Sequence, residues 1–361
     1  MKNIRSWGAV TLASLLLAAC GGGGDGDQSP RVKYSAMVSF GDSLSDVGTY
    51  ATPVLVAASG GGKYTVNGPT GKNWTELLAV QAGTGTPCAA QTGLESSGPL
   101  ASFAQAAATH AGCYGYAQGG ARVTNPVGPG NKALLGLNDT SGYVGQLTVP
   151  VITQINNHLT AVGGSFSGTE LVTVMAGGND VFINLATAGA NPDPVAGGTA
   201  AVTAMGQAGA ELAGYIKALI LAKGATHVVV VNLPDVSQTP LAYAQSTATQ
   251  GLISTMVTTF NDQLHKGLAG TSVLEVDAYT QGRDQVARPQ LYGLTNVTTP
   301  ACDLTKLAAT LFASSLVCST NTVIAGDVSH YEFADTVHPT PFAYQLLAQF
   351  VAKRMVESGW L

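Results

Sequence analysis

The chain has 361 residues, of which 45% are hydrophobic and only 10% charged, and its formal net charge is −5. Such a composition excludes a disordered tail and a polytopic membrane protein. The 16 basic residues form no cluster, so nothing supplies the phosphate-neutralising surface that a nucleic-acid partner requires.

Residues 1–19 read as an export signal. Lys2 and Arg5 are the positive region, and the apolar stretch from Val10 to Ala19 is shorter than the roughly 20 residues of a permanent membrane helix. The run Leu17-Ala18-Ala19-Cys20 resembles a bacterial lipobox, in which cleavage before the Cys leaves it to carry acyl chains. That resemblance makes residues 1–19 a lipoprotein signal peptide and Cys20 the lipidation site, holding the protein to a membrane. An ordinary secretory signal with an incidental Cys is the alternative. Neither Gly21 nor Gly22 is Asp, which by the same resemblance places the protein at the outer membrane or cell surface, or in the periplasm or medium if processed. Residues 20–34 read as a flexible, Gly-rich tether. Gly21, Gly23 and Gly26 have the spacing of a dinucleotide-binding loop, but no strand precedes them and no helix follows.

From residue 35 onward the pattern alternates between β and α. Ser35 to Phe40 is a short apolar run stopping at Gly41, as a buried parallel strand does. Asn73 to Gln81 opens with a capping residue and has Glu76 three positions on, which predicts a helix start. Leu171 to Met175 and His227 to Val231 are further buried strands, and Ser272 to Val276 is a weaker one. Long Pro-free helical stretches run over Ala200 to Ala222 and Leu252 to Leu268. In a last helix, Pro341 to Met355, an apolar face is predicted at Ala343, Leu346, Leu347 and Phe350. Strands alternating with helices imply a three-layer α/β/α sandwich around a mostly parallel sheet, with ligands beyond the carboxyl ends of the strands. Pro87 to Ile152 and Tyr279 to Asp335 do not fit and are read as elaborated loops over that edge. Four cysteines besides Cys20 allow three pairings, and export favours disulfides; the local pairing, Cys88 with Cys113 and Cys302 with Cys318, is preferred. No zinc-type spacing of Cys or His occurs.

Three strand ends or turns carry chemistry. Gly41-Asp42-Ser43-Leu44 places a Ser just past a strand terminus, where Oγ stands above the sheet; the plain structural alternative is a helix cap before Leu44. Gly177-Gly178-Asn179-Asp180 offers amide donors to the same crevice, or simply caps the next helix. Asp335-Thr336-Val337-His338-Pro339 lets Asp335 hold the imidazole Nδ1 proton and leaves Nε2 free as a base, a role compatible with capping the last helix. A fourth, flexible segment from Tyr116 to Arg122 brings Gly119 and Gly120 as further amide donors. His110, His158, His227, His265 and His330 have no motif around them; His330 lies nearest in sequence and is a candidate for the pocket wall.

These four segments, in this order, resemble the SGNH/GDSL family of esterases and lipases. The resemblance implies a flavodoxin-like SGNH hydrolase domain over residues 35–361 and a serine esterase or lipase working through an acyl-enzyme. It makes Ser43 the nucleophile, His338 the base and Asp335 its orienting partner, with Gly120 and Asn179 in the oxyanion hole. The family's Asn-Phe-Ala-x-Gly-Gly-Ala block reads Gly115-Tyr116-Ala117-Gln118-Gly119-Gly120-Ala121 here, which leaves Gly119 and Gly120 both open as donors. Val66-Asn67-Gly68-Pro69 with Asn73 to Ala79 is similar to secreted lipase and phospholipase members, implying a lipid or short-chain ester substrate. No metal or organic cofactor is implied. The alternatives are carbohydrate O-acetyl esterase or acyltransferase chemistry on the same site, or a non-catalytic surface lipoprotein that binds lipid or glycan. No Gly-x-Ser-x-Gly elbow occurs, which argues against an α/β-hydrolase. Acyl-chain length and oligomeric state are left open.

Overall fold

The computed structural model describes residues 32–134, 144–310 and 312–361. The export signal, Cys20 and most of the tether lie outside the described residues. In chain order the elements are β1 (Met37–Gly41), α1 (Pro53–Ser59), α2 (Trp74–Gln81), β2 (Gln91–Leu94), β3 (Gln105–Thr109), α3 (Val151–Ala161), β4 (Leu171–Met175), α4 (Gly178–Gly189) and α5 (Pro194–Tyr215). They continue with β5 (His227–Val231), α6 (Pro240–Tyr243), α7 (Thr247–Leu268), β6 (Leu274–Val276), α8 (Ala278–Ala287), α9 (Leu304–Thr310) and α10 (Pro341–Glu357).

The main sheet runs β1-β4-β5-β6, all parallel. Its strands are nearly unbroken apolar runs because both faces are covered. Alternate side chains go opposite ways: Val38, Phe40, Val172, Val174, Val228 and Val230 pack with α3, α4, α5 and α7. Met37, Leu171, Met175, Val229 and Val231 face α2 and α10. The result is the expected α/β/α sandwich. α2 begins as its sequence predicts, with Asn73 Oδ1 accepting the Glu76 N–H and Glu76 Oε2 accepting the Asn73 N–H.

Both insertions contain more structure than loops. In the first, residues 114–118 lie alongside β1: Ser39 N–H donates to Tyr114 O at 3.0 Å, Tyr116 N–H to Ser39 O at 2.8 Å, and Gln118 N–H to Gly41 O at 3.2 Å. Residues rich in Gly and Tyr thus act as an edge of the sheet because β1 offers an open ladder. Beyond them stands the antiparallel pair β2 and β3. The second insertion opens with α8 and includes α9. The disulfides are the local ones, Cys88–Cys113 and Cys302–Cys318.

The last helix departs from its predicted face. Ala343 is buried as predicted, but the row most fully buried is Tyr344, Ala348, Val351 and Met355, while Leu347 and Phe350 are half-buried on its flank. Among the described residues no helix is long and apolar enough to cross a membrane.

Candidate active site

β1 ends at Gly41, whose φ is +151°. A Cβ there would lie 2.1 Å from Met175 O, so only glycine permits the tips of β1 and β4 to approach this closely. Gln154 of α3 clamps the same residue, accepting the Gly41 N–H at 2.9 Å and donating to Gly41 O at 2.8 Å. The chain then bends through a tight turn in which Asp42 Oδ1 accepts the Leu44 N–H. No helix starts at Leu44, so Ser43 is not a cap. Burial pushes the Asp42 carboxyl up to about 6, against the Leu44 N–H and the nearby His338, which lower it.

Ser43 Oγ lies 2.9 Å from His338 Nε2. On the far side of the ring, Nδ1 lies 2.9 and 2.8 Å from the two oxygens of Asp335. A carboxylate only accepts, so Nδ1 carries the proton and Nε2 is the acceptor nitrogen that faces the serine hydroxyl. Asp335 is buried, and Oδ1 also accepts the N–H groups of Val337 and His338, at 2.9 and 2.8 Å. Ser315 N–H donates to Oδ2 at 2.8 Å. Burial raises the Asp335 carboxyl, yet His338 and these donors together outweigh it and hold it well below the usual carboxylate range. Neither Asp335 nor His338 caps the last helix as the sequence allowed; Thr340 does, because Pro341 starts the helix at the next residue.

The donors come from two other segments. Asn179 lies in the first turn of α4, with Gly177 in the cap position, so Asn179 and Asp180 are not caps either. Asn179 Nδ2 donates to Ala121 O at 2.8 Å. Asp180 accepts from Arg122 Nε at 2.9 Å and from the Val123 N–H at 3.0 Å, fixing the Gly loop to α4. Gly119 N–H is occupied by Asp46 Oδ2 at 2.9 Å. Gly120 N–H and Ser43 N–H have no acceptor among the described residues. Gly120 has φ +77°, and a Cβ on it would sit 2.3 Å from Pro129 O.

Ser43, Gly120, Asn179 and His338 all border a cleft of about 1130 Å³. Its walls are largely apolar, with Leu100, Val144, Phe182, Leu185, Leu241 and Phe312 among them. Tyr64 also lines it; the tyrosine ring lies 4.7 Å from that of His338, and its buried hydroxyl has no partner among the described residues. His330 instead packs on Phe342, ring centroids 4.3 Å apart, and borders neither the cleft nor the smaller pocket beside it.

Sequence reasoning did not find Asp46, Gln154, Ser315 or Tyr64. Asp46 has a local signal, three residues beyond Ser43, and its carboxylate ties the serine turn to Gly119 while accepting the N–H groups of Gly48 and Thr49. The contact from Gln154 spans 113 positions and that from Ser315 spans 20, and neither leaves a trace in the string.

The family model described as GDSL-like lipase/acylhydrolase matches residues 37–351. A GDSL esterase/lipase of Arabidopsis thaliana is 30% identical over 103 residues, which are 27% of this chain and 27% of that protein. This chain therefore spans well under half the length of that curated relative. The crystal structure of an extracellular lipase from Streptomyces rimosus aligns at 15% identity and a TM-score of 0.36, over 88% of this chain and 99% of that one.

Proposed function

Because the chain belongs to the GDSL-like lipase/acylhydrolase family, we propose that it hydrolyses carboxylic esters with Ser43 as nucleophile, His338 as base and then acid, and Asp335 as the group that orients His338. The observation that carries this reading is the unbroken hydrogen-bond chain from Asp335 through His338 to Ser43. His338 Nε2 takes the Ser43 proton as Oγ attacks the ester carbonyl. The developing oxyanion is met by the N–H groups of Ser43 and Gly120 and by the Asn179 amide. Collapse breaks the C–O bond, and the alkoxy oxygen leaves as the alcohol with the proton from His338. Water, deprotonated by His338, then attacks the acyl-enzyme, and the acid is released with Ser43 restored. Gly120 is preferred to Gly119 as donor because Asp46 already accepts the Gly119 N–H.

The test is covalent labelling by a fluorophosphonate probe together with acid release from simple esters, comparing the native chain with Ser43→Ala. Labelling and turnover that both vanish in the variant are expected. A Ser43→Ala protein that still hydrolyses esters at the native rate would overturn the assignment.

The same reading places residues 35–361 as the hydrolase domain, exported behind a signal over residues 1–19 and held to a membrane by acyl chains on Cys20. Its support is the lipobox-like run before Cys20 and the two disulfides, which persist in oxidising compartments. Metabolic labelling with palmitate should mark the native chain and not Cys20→Ala.

A further inference from the structure

Two compartments of unequal size meet at Ser43. One is the cleft of about 1130 Å³; the other is a pocket of about 130 Å³. Ser43, Asn179, Phe182, Val337 and His338 border both, but Gly120 borders only the larger, and Glu332, Phe333 and Pro339 only the smaller. The smaller is walled by α8 and by residues on either side of His338, namely Glu332, Phe333, Pro339 and Ala343.

An ester positioned for attack has its carbonyl oxygen at the amide donors. Its alkoxy oxygen must come within reach of His338 Nε2, since that oxygen receives the proton when the C–O bond breaks. The alcohol half therefore departs toward the segment that carries His338, and the acyl half lies on the Gly120 side. On this basis, which rests on the serine-esterase reading above, we propose that the large cleft takes the acyl chain, the small pocket takes the alcohol, and Glu332 selects alcohols bearing a further hydroxyl. The substrate class is then a long-chain acyl ester of a small polyol of about glycerol size.

Size and chemistry agree. The small pocket, at about 130 Å³ against about 1130 Å³ for the cleft, suits the smaller half of the ester. Its lining is apolar at Met175, Leu233 and Leu347, while Glu332, Gln281 and Gln285 supply polar groups beside Asp42, whose Oδ1 is held by the Leu44 N–H, and Asp235, which is paired with Arg283. Glu332 Oε2 is buried without a partner among the described residues. An orphaned carboxyl oxygen is costly to keep, and a substrate hydroxyl would relieve it. Burial also pushes the Glu332 carboxyl up to about 7, so near neutral pH it is protonated in good part and able to donate as well as accept.

The test uses the full chain and measures acid release at two sets of esters. With octanoyl fixed, glyceryl, propyl and octyl esters are compared; with glycerol fixed, butyryl to decanoyl chains are compared. The expected result is a kcat/KM that falls at least tenfold from glyceryl to octyl ester yet holds or rises as the acyl chain lengthens. In Glu332→Leu the ratio of glyceryl to propyl ester turnover should fall about tenfold, and Glu332→Gln, which still hydrogen-bonds, should restore most of it. Steep loss with acyl length alongside tolerance of octyl alcohol would overturn the proposal, as would a Leu variant with an unchanged ratio. Absence of both turnover and fluorophosphonate labelling at Ser43 would instead overturn the esterase reading itself.

Discussion

The two long insertions over the carboxyl edge of the sheet are built to different plans. The first, residues 87–152, extends the sheet: residues 114–118 hydrogen-bond along β1, and Cys88–Cys113 joins that edge to the strand pair beyond it. Its product is Gly120, delivered to the site by backbone pairing. The second, residues 279–335, packs as helices and turns. Its Cys302–Cys318 link and the buried Leu316 and Val317 share a core with Tyr50, Leu55 and Tyr64. Its product is the Ser315 N–H on Asp335. A donor is placed by borrowing a strand's regularity; the acid is held by a local core and a covalent link.

This contrast has measurable consequences. Asp335→Ala should cause the largest loss, with kcat down by about 10³–10⁴ and an altered pH–rate profile, because His338 loses both its tautomer and its orientation. Stopped assays across pH, with circular dichroism as the folding check, would measure it. Gly120→Ala, on the first insertion, keeps its N–H but its Cβ, 2.3 Å from Pro129 O at a φ of +77°, should force that N–H out of place; if it serves the oxyanion as proposed, kcat should fall by about 10²–10³, with the pH profile left as in the native protein because Asp335 and His338 are untouched. A variant pair with the same pH profile would erase the distinction between the insertions.

Opening the Cys302–Cys318 link by paired Ser substitutions should cost about 3 kcal/mol in urea unfolding and lower kcat as well, since the Ser315 segment lies inside that loop. Opening Cys88–Cys113 should cost about as much stability with less effect on kcat, because residues 114–118 keep their hydrogen bonds to β1. Equal losses of kcat in the two pairs would argue against the division.

A smaller effect concerns the seam where the first insertion meets the body. His158 of α3 is buried with neither ring nitrogen bonded among the described residues, its ring near those of Tyr114, Tyr116 and Phe166. Burial lowers its pKa from 6.5 to about 4. Between those values the unfolded chain takes up a proton that the folded chain refuses, so stability falls as pH drops through that window. His158→Phe should remove this loss and gain on the native protein by about 2–3 kcal/mol between pH 6.5 and 4. Denaturant midpoints at pH 7 and pH 4 would show it, and a gap that does not widen in acid would refute it.

Much of the fold is legible in the string. The runs at 171–175 and 227–231 are strands with those ends, since β-branched side chains buried on both faces leave an unmistakable local pattern. The Asn73 and Glu76 capping pair, the two disulfides and the segments around Ser43, Asn179, Asp335 and His338 are legible for a similar reason: each depends on residue types at short spacing. The edge formed by residues 114–118 is not, because its strand character comes from β1 rather than from its own Gly and Tyr side chains. Nor is the whole buried face of α10, where packing against α2 and β6 buries Tyr344 and Ala348 rather than Leu346.

By itself the amino-acid sequence determined where the buried strands end and in what order the segments around Ser43, Asn179 and His338 follow them, because strand ends and turns are short-range matters. Only the tertiary structure decided what those residues face. The 2.9 Å contact between His338 and Ser43 joins positions 295 apart, and the clamp of Gln154 on Gly41 joins positions 113 apart. Local periodicity records which side of an element is buried, but a partner at such separation is chosen only when the sheet and its insertions close on one another.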